Sequence, residues 1–258
     1  MKNILFILIC SFSVFSCVKK SSYINLNTKL NSKKTSKIIN GVEVTPQDGF
    51  AQHIVGIFKK GETMCTGVLV SENTLITAAH CESELKYGKI SFGLNIKKYE
   101  FRPITTYKVH ADYDESAIGI VDHAANDIAV VQFSGGLPVG FAPAEISDQD
   151  LVQKQMSVII AGYGRDEDNN YDYLKSTTVN VVETANYEFR TDEKKTGSCD
   201  GDSGGPVFFK NTENKFILVG SVSRGDPQCH QFGVYENITF YKTWITETIN
   251  SFNSGSKK

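Results

Sequence analysis

The chain of 258 residues is 40% hydrophobic and 22% charged, a balance that supports a buried core and excludes a disordered or fibrous protein. The first 37 residues contain seven lysines and no acidic residue, so the rest of the chain has 20 basic against 29 acidic residues, a net charge of −9. This acidic body argues against nucleic acid as a partner.

The first 17 residues predict an export signal. Lys2 precedes an apolar run from Ile4 to Phe15, which is too short to span a bilayer as a stable helix. The sequence Val14-Phe15-Ser16-Cys17 resembles the lipobox of a bacterial lipoprotein, in which the cysteine becomes the lipidated first residue. An ordinary secretory signal cleaved nearby is the alternative. We therefore expect an exported bacterial protein, either attached to the cell envelope through Cys17 or secreted.

Residues 18–37 are polar and basic and show no apolar periodicity, so they predict a flexible leader. An even number of cysteines follows the leader, which indicates disulfides in an exported domain. These cysteines allow three pairings, and the sequence alone does not choose among them. They are Cys65, Cys81, Cys199 and Cys229.

Short β-rich runs separated by turn residues make up the body of the chain. The first set comprises residues 53–58, 66–70, 75–77, 89–92, 105–109 and 128–133. The second set comprises residues 157–161, 176–182, 207–209, 215–223 and 232–238. This regular spacing predicts an all-β barrel or sandwich. With a glycine-rich linker at 134–140, we expect one domain at 38–253 with halves at about 38–140 and 141–253.

One helix is predicted near the C-terminus. Apolar residues recur at helical spacing between Tyr241 and Phe252. Thr239 is the predicted N-cap, and Asn253-Ser254-Gly255 ends the helix. We expect the apolar face to pack on the second half of the body.

Glycines and a proline, whose backbone conformations differ from those of other residues, lie close to one hydroxyl within residues 197–206. The sequence there is Gly-Ser-Cys-Asp-Gly-Asp-Ser-Gly-Gly-Pro. Ser203 is the candidate nucleophile, and such a hydroxyl needs a base to take its proton and donors to hold an oxyanion. Gly201 has no Cβ, so its N–H and that of Ser203 can point at one spot. By itself, the cluster is equally typical of a turn.

Two further residues supply the missing partners. His80 follows one apolar strand-like run, and Asp127 precedes another. Asp122 competes with Asp127 for the acid role but has no strand after it. The order His80, Asp127, Ser203 resembles that of the trypsin/chymotrypsin-like serine proteases, and the resemblance covers most of residues 38–250.

The resemblance implies two six-stranded antiparallel barrels, a C-terminal helix and an active site between the barrels. It implies a serine endopeptidase in which Ser203 attacks a peptide carbonyl, His80 carries the proton and Asp127 orients His80. The N–H groups of Gly201 and Ser203 would hold the oxyanion. We expect a monomer that acts on proteins or peptides without a cofactor. We also expect no metal, because residues 82–97 lack the clustered carboxylates of a calcium loop.

The same resemblance chooses among the cysteine pairings. It implies a bridge between Cys65 and Cys81, which ties the histidine loop to its strand. It also implies a bridge between Cys199 and Cys229, which braces the pocket beside the serine.

The stretch from Lys37 to Gly41 resembles the activation site of the family, where cleavage after a basic residue frees an N-terminal isoleucine, here Ile38. In the family, the new ammonium group pairs with the aspartate before the nucleophile, which is Asp202 here. An unpaired buried carboxylate costs about 3–5 kcal/mol, so the uncut chain is predicted to be an inactive zymogen. We expect a separate, basic-specific protease to activate it.

Seven positions match the substrate pocket of the family, namely Gly197, Ser198, Asp200, Ser223, Arg224, Gly225 and Gly233. Gly197 matches the base of the pocket and carries no carboxylate to hold Lys or Arg. An open, uncharged pocket predicts a preference for large apolar or aromatic side chains. Ser223 also matches a serine that buttresses the aspartate. Arg224 stands where relatives usually carry Trp, so it either favours acidic residues along the substrate or is exposed and solvated.

Two rival functions compete with this hypothesis. A catalytically inactive homologue would act as a binding or adhesion module, but such proteins typically lose a triad residue and this chain keeps all three. A glutamate-specific protease is disfavoured because Val222 and Gly225 stand where those relatives place polar ligands.

Overall fold

The computed structural model describes most of the chain beyond the leader, namely residues 38–60, 62–95, 98–120, 124–165, 171 and 173–255. The predicted signal, the leader and Lys37 lie outside the described residues, as do Cys17 and Asp122. What the sequence indicates for them stays a prediction. Within the described segments, no helix combines the length and the apolarity needed to cross a bilayer.

The described residues form mostly short strands, as expected from runs rich in β-branched and aromatic residues. In chain order the strands are β1 (Val42–Glu43), β2 (Ile54–Lys59), β3 (Glu62–Ser71), β4 (Thr74–Thr77), β5 (Lys89–Phe92), β6 (Glu100–Val109), β7 (Ala129–Phe133), β8 (Glu145–Ile146), β9 (Ser157–Gly162), β10 (Lys175–Thr184), β11 (Glu188–Asp192), β12 (Pro206–Lys210), β13 (Phe216–Gly225) and β14 (Phe232–Asn237).

Strand pairing closes two barrels. The first barrel closes in the order β2-β3-β4-β7-β6-β5. The second closes in the order β9-β10-β11-β14-β13-β12, because β9 pairs with both β10 and β12. Outside the barrels, β1 pairs with β10, and β8 runs parallel to β13. The predicted fold of two six-stranded antiparallel barrels is therefore confirmed.

Strand β11 completes the second barrel and was not predicted from the sequence. Its residues alternate charged and apolar side chains, and charged residues are depleted in strands. Nevertheless Glu188, Phe189 and Thr191 are all fully buried. Pairing with β14 places Glu188 opposite Glu236, which is also fully buried. A strand that turns a carboxylate inward has no hydrophobic pattern to reveal it.

The helices are α1 (Glu82–Leu85) and α2 (Ile238–Gly255), with 3-10 turns at Ala51–His53 and Ala79–Cys81. Because α2 begins before Thr239, that residue is not its N-cap, and its buried hydroxyl has no hydrogen-bond partner among the described residues. Helix α2 packs against β13 of the second barrel and also against β7 of the first. The predicted packing on the second half alone was therefore incomplete.

Both disulfides have the pairing that the resemblance implied. Cys65 of β3 is bonded to Cys81, the residue after His80. Cys199 is bonded to Cys229, which joins the loop before Ser203 to the loop between β13 and β14. The first bridge anchors the histidine segment to its own barrel.

Candidate active site

His80 and Asp127 meet at one end of the first barrel. His80 lies in the 3-10 turn after β4, and Asp127 lies just before β7, which pairs with β4. His80 Nδ1 is 2.8 Å from Asp127 Oδ2, and the backbone N–H of His80 donates to Oδ1 at 3.0 Å. The side chain of Asp127 is 4% exposed and that of His80 is 34% exposed. The imidazole can therefore be reached from the surface while its carboxylate partner cannot.

Burial and hydrogen bonding act in opposite directions on this pair. Burial raises the pKa of Asp127, but hydrogen bonds from His80 and Ser223 outweigh burial, and the pKa lies below its usual value. Burial lowers the pKa of His80, but the hydrogen bond and charge of Asp127 raise it above 6.5 overall. The pair therefore combines an ionised carboxylate with an imidazole that accepts a proton readily, as a general base requires.

Asp127 is also held from the second barrel. The Ser223 hydroxyl donates to Asp127 Oδ2 at 2.7 Å, and the Asp127 N–H donates to Glu236 Oε1 at 2.9 Å. Tyr241 of α2 donates to Glu236 Oε2 at 2.6 Å, and burial raises the pKa of Glu236 to about 8. Sequence reasoning identified Ser223 but missed Glu236, because a single glutamate within a strand belongs to no motif.

The side chain of Arg224 forms its ion pair and hydrogen bonds with other residues of the protein. Its side chain is 19% exposed and forms a 2.8 Å ion pair with the fully buried Glu188. It also donates to the Ser223 hydroxyl at 3.1 Å and to the carbonyl of Gly119. The expectation of a solvated arginine was wrong, and Glu188 already neutralises the charge that was to favour acidic substrates.

Ser203 lies on a loop of the second barrel that closely approaches the histidine segment. An added Cβ at Gly204 would overlap the Thr77 hydroxyl and the backbone nitrogen of Ala78, two residues before His80. Only a glycine therefore lets the two loops come this close. Among the described residues, no hydrogen bond joins the Ser203 hydroxyl to His80. Catalytic hydrogen bonds are often long in the absence of substrate.

The loop before Ser203 carries two unpaired backbone donors. Gly201 has a φ of +94°, a region that favours glycine, and its carbonyl accepts the Thr66 hydroxyl at 2.9 Å. In the described part of the chain, the N–H groups of Gly201 and Ser203 donate to no protein acceptor. One donor is on the candidate nucleophile and the other two residues before it, where an oxyanion would need them.

Asp202 is fully buried next to the candidate nucleophile. Its carboxylate accepts the N–H groups of Gly164 at 2.8 Å and Cys199 at 2.9 Å. No ion pair joins it to a basic side chain of the described residues. Burial raises the pKa of Asp202 to about 7. Within the part of the chain that the structure describes, this carboxylate therefore accepts hydrogen bonds from neutral donors only.

Ile38 is the first described residue and is fully buried in the core of the second barrel. The N–H of its neighbour Ile39 donates to the carbonyl of Gly197 at 3.0 Å, and the N–H of Gly197 donates to the carbonyl of Ile39 at 3.3 Å. The segment that follows the predicted cut is therefore docked beside the predicted pocket.

A cavity of about 180 Å³ opens beside Ser203. The positions named from the sequence that line it are Ser198, Asp200, Ser223, Arg224 and Gly225. At its rim, Asp200 forms a 3.1 Å ion pair with Arg165. Gly197 and Gly233 lie behind the lining.

Glu193 places a carboxylate behind the wall of this cavity and is not itself among the residues that line it. It is 1% exposed, and it accepts the N–H of Ser198 at 2.9 Å. An added Cβ at Gly197 or at Gly233 would overlap its carboxylate oxygens. The expectation of an uncharged pocket considered Gly197 alone and stays a prediction, but a carboxylate lies behind this glycine. The carboxylate comes from the residue after β11, the strand that the sequence did not reveal.

The ligand atoms of Cys65, His80 and Cys81 all lie within 4.8 Å of one another. Both sulfur atoms are bonded in a disulfide, so this group offers a metal only the imidazole.

Residues 38–245 match the family model described as trypsin. Human "Transmembrane protease serine 11B" is 28% identical over 216 residues, which cover 72% of this chain and 50% of that protein. "Vitamin K-dependent protein C" of Mus musculus is 26% identical over 279 residues, which cover 90% of this chain and 58% of that protein. "Hypodermin-B" of Hypoderma lineatum is 25% identical over 246 residues, which cover 84% of this chain and 89% of that protein.

The chain spans about half the length of the first two of these relatives. All three relatives are animal proteins, so they lend no support to the predicted bacterial source. The family match covers most of this chain, including both barrels and nearly all of the candidate site. The chain belongs to the trypsin family of serine proteases.

Proposed function

We propose that this chain is a serine endopeptidase with Ser203, His80 and Asp127 as its catalytic triad. The proposal rests on a chain of hydrogen bonds from Ser223 through Asp127 to His80, with lengths of 2.7 and 2.8 Å. Ser203 and Ser223 line the same cavity, so the candidate nucleophile faces the same space as the first residue of this series of hydrogen bonds.

In this mechanism, His80 takes the proton of Ser203 as the hydroxyl oxygen attacks the carbonyl of the scissile peptide bond. Asp127 stabilises the imidazolium that forms. The N–H groups of Gly201 and Ser203 hold the oxyanion of the tetrahedral intermediate. The imidazolium then gives its proton to the leaving amine, and water hydrolyses the acyl-enzyme by the same steps.

The uncut chain is, on this proposal, a zymogen activated between Lys37 and Ile38. The new ammonium group of Ile38 would pair with Asp202. Two observations support this step: Asp202 is fully buried with only neutral donors around it, and Ile38 is already buried in the same barrel. Pairing with a cation would stabilise the ionised carboxylate and hold the N–H groups of Gly201 and Ser203 in place.

Export is part of the same proposal. A lipidated Cys17 would hold the uncut chain at the cell envelope, and the cut after Lys37 would release the catalytic body. Residues 18–37 contain no cysteine that could keep the leader attached through a disulfide.

The substrate side chain before the scissile bond has two candidate chemistries. Gly197 by itself favours a large apolar or aromatic side chain. The buried carboxylate of Glu193 favours a cationic one instead.

Labelling with a serine-directed fluorophosphonate tests the proposed activity. Replacing residues 33–36, Lys-Lys-Thr-Ser, with four aspartates creates a site at which enteropeptidase cuts after Lys37. The cut protein should incorporate the probe on Ser203, as located by mass spectrometry, and should hydrolyse a denatured protein. The uncut protein and the Ser203→Ala variant should do neither. A cut, folded protein that is neither labelled nor active would favour the inactive binding module instead.

A further inference from the structure

The carboxylate of Glu193 lies behind the cavity beside Ser203, in space left by two glycines. Gly197 comes from the loop before Ser203, and Gly233 comes from β14. A side chain at either position would collide with a carboxylate oxygen of Glu193. Because both positions are glycine, a carboxylate from a third segment can enter between them.

Four donors surround this carboxylate, and none of them is charged. Ser198 donates its N–H at 2.9 Å and its hydroxyl at 3.2 Å. Thr191 donates its hydroxyl at 2.9 Å, and Tyr235 also donates its hydroxyl. Among the described residues, no lysine, arginine or histidine forms an ion pair with Glu193. Four donors favour the ionised carboxylate, but burial has the larger effect and raises the pKa of Glu193 above its usual value.

Ser198 connects this carboxylate to the cavity beside the nucleophile. The residue lines the cavity, and its hydroxyl contacts both oxygens of Glu193, at 3.2 and 3.4 Å. A substrate side chain that enters beside Ser203 therefore ends against a hydroxyl that is polarised by a buried negative charge.

Of the other charged residues that line the cavity, Arg224 and Asp200 form ion pairs, whereas the Asp226 carboxylate accepts the N–H of His230 at 2.9 Å. Arg224 is paired with Glu188 at 2.8 Å, and Asp200 is paired with Arg165 at 3.1 Å. Polar residues also outnumber apolar ones in the lining, which disfavours a large aromatic side chain. The polar lining residues are Ser198, Asp200, Ser203, Ser223, Arg224 and Asp226.

We propose that Glu193 determines the substrate specificity of this protease by selecting a lysine or arginine side chain before the scissile bond. The substrate cation supplies the counter-ion that the protein withholds from Glu193. An apolar side chain would leave this carboxylate buried and uncompensated, which is costly. The inference rests on the proposed endopeptidase activity and adds its substrate class.

Matched peptide substrates that differ only in the residue before the scissile bond test this specificity. The enzyme is the full chain cut after Lys37 by enteropeptidase, and Ser203→Ala prepared in the same way measures contaminating activity. The wild-type protein should show a higher kcat/KM for Arg and Lys than for Phe and Leu. The Glu193→Gln variant should lose on the order of 100-fold for Arg and Lys while cleavage after Phe changes little.

Two variants control for charge. Asp192→Asn removes a neighbouring exposed carboxylate outside the pocket and should keep the wild-type preference. Asp200→Asn removes the carboxylate at the rim. If it is Asp200→Asn that abolishes cleavage after Arg and Lys, with Glu193→Gln unaffected, the assignment to Glu193 is overturned.

Binding of benzamidine, an aromatic cation, provides a second measurement. It should compete with fluorophosphonate labelling of the wild-type protein and lose affinity on the order of 100-fold in Glu193→Gln. If that variant does not fold, the wild-type profile decides: a preference for Phe over Arg refutes the inference. Failure of the activity itself is distinguishable, because Ser203 would then remain unlabelled whatever the substrate.

Discussion

Five carboxylates are buried in the described part of this protein, namely Asp127, Glu188, Glu193, Asp202 and Glu236. Asp127 lies against an imidazole and Glu188 against a guanidinium. Among the described residues, Glu193, Asp202 and Glu236 accept hydrogen bonds from neutral donors only. An ionised carboxylate is costly to bury without a counter-ion. Burial raises the pKa of Glu236 to about 8, so this residue can stay neutral, and we assign cations from elsewhere to Glu193, beside the cavity, and to Asp202, beside the N-terminal segment. Glu193 receives the substrate side chain, and Asp202 receives the new N-terminus.

The pH dependence of activity should follow His80. The imidazole must be neutral to accept the proton of Ser203, and Asp127 raises its pKa above 6.5. We therefore expect kcat/KM to rise with pH through a midpoint above 6.5. In Asp127→Asn, burial would be opposed only by the charges of Glu84 and Glu115, so the midpoint should fall below that of the wild type. Its kcat should also drop on the order of 10⁴-fold.

Steady-state kinetics between pH 5 and pH 9 on a substrate without titratable groups measures both midpoints. The Asp192→Asn variant is the control for loss of an exposed carboxylate. A midpoint that is the same in the wild type and in Asp127→Asn would contradict the pairing of Asp127 with His80.

At the scale of elements, β11 links the substrate pocket to the triad. Its first residue, Glu188, pairs with Arg224 of β13, and Arg224 in turn donates to Ser223, the partner of Asp127. Its end leads directly to Glu193. Because Glu188 supports the proposed triad through Arg224 and Ser223, β11 carries one charged side chain among its buried residues.

The ion pair between Arg224 and Glu188 should contribute strongly to stability. Arg224→Met leaves Glu188 buried without its cation and should lower the free energy of unfolding by about 3–5 kcal/mol. Adding Glu188→Gln should recover much of this loss, because the uncompensated charge is removed. Urea unfolding in a Ser203→Ala background, which prevents self-digestion, gives the coupling energy. Strictly additive single variants would indicate that the two residues act independently.

At the scale of the whole molecule, each barrel contributes one part of the candidate active site. The first barrel supplies the imidazole and its carboxylate, and the second supplies the nucleophile and the pocket. Helix α2 contacts a strand of each barrel and so fixes one against the other. Hydrogen bonds that cross from Asp127 to Ser223 and Glu236 join the two barrels at the site itself.

Selection of lysine by Glu193 has a consequence for activation, because the predicted cut follows Lys37. Each purified zymogen is mixed with a trace of its own cut form, and the wild-type zymogen should then be cut between Lys37 and Ile38 at a rate that increases as cut enzyme accumulates. The Ser203→Ala and Glu193→Gln zymogens should remain uncut on the same timescale. Gel electrophoresis with N-terminal sequencing measures the cut. A wild-type zymogen that stays intact would support the separate basic-specific protease expected from the sequence.

The motifs of the sequence, with the family resemblance that they carry, indicated the two barrels and both disulfides. His80, Asp127 and Ser203 could be selected because they follow one another in the order of the family's triad. Each also lies next to a short apolar run or a glycine-rich turn, which are typical of strand ends and loops. Eleven strand-like runs were visible in this way, since they are short, rich in β-branched and aromatic residues and separated by turn residues.

Only the tertiary structure revealed β11, Glu193, Glu188 and Glu236. A buried carboxylate has no local signature, because its burial depends on donors that the fold brings from distant segments. Glu193 precedes Gly197 by four residues, yet only the meeting of β11, β14 and the serine loop places its carboxylate between Gly197 and Gly233. The pocket chemistry is therefore decided by packing, whereas the reaction chemistry can be predicted from the order of residues.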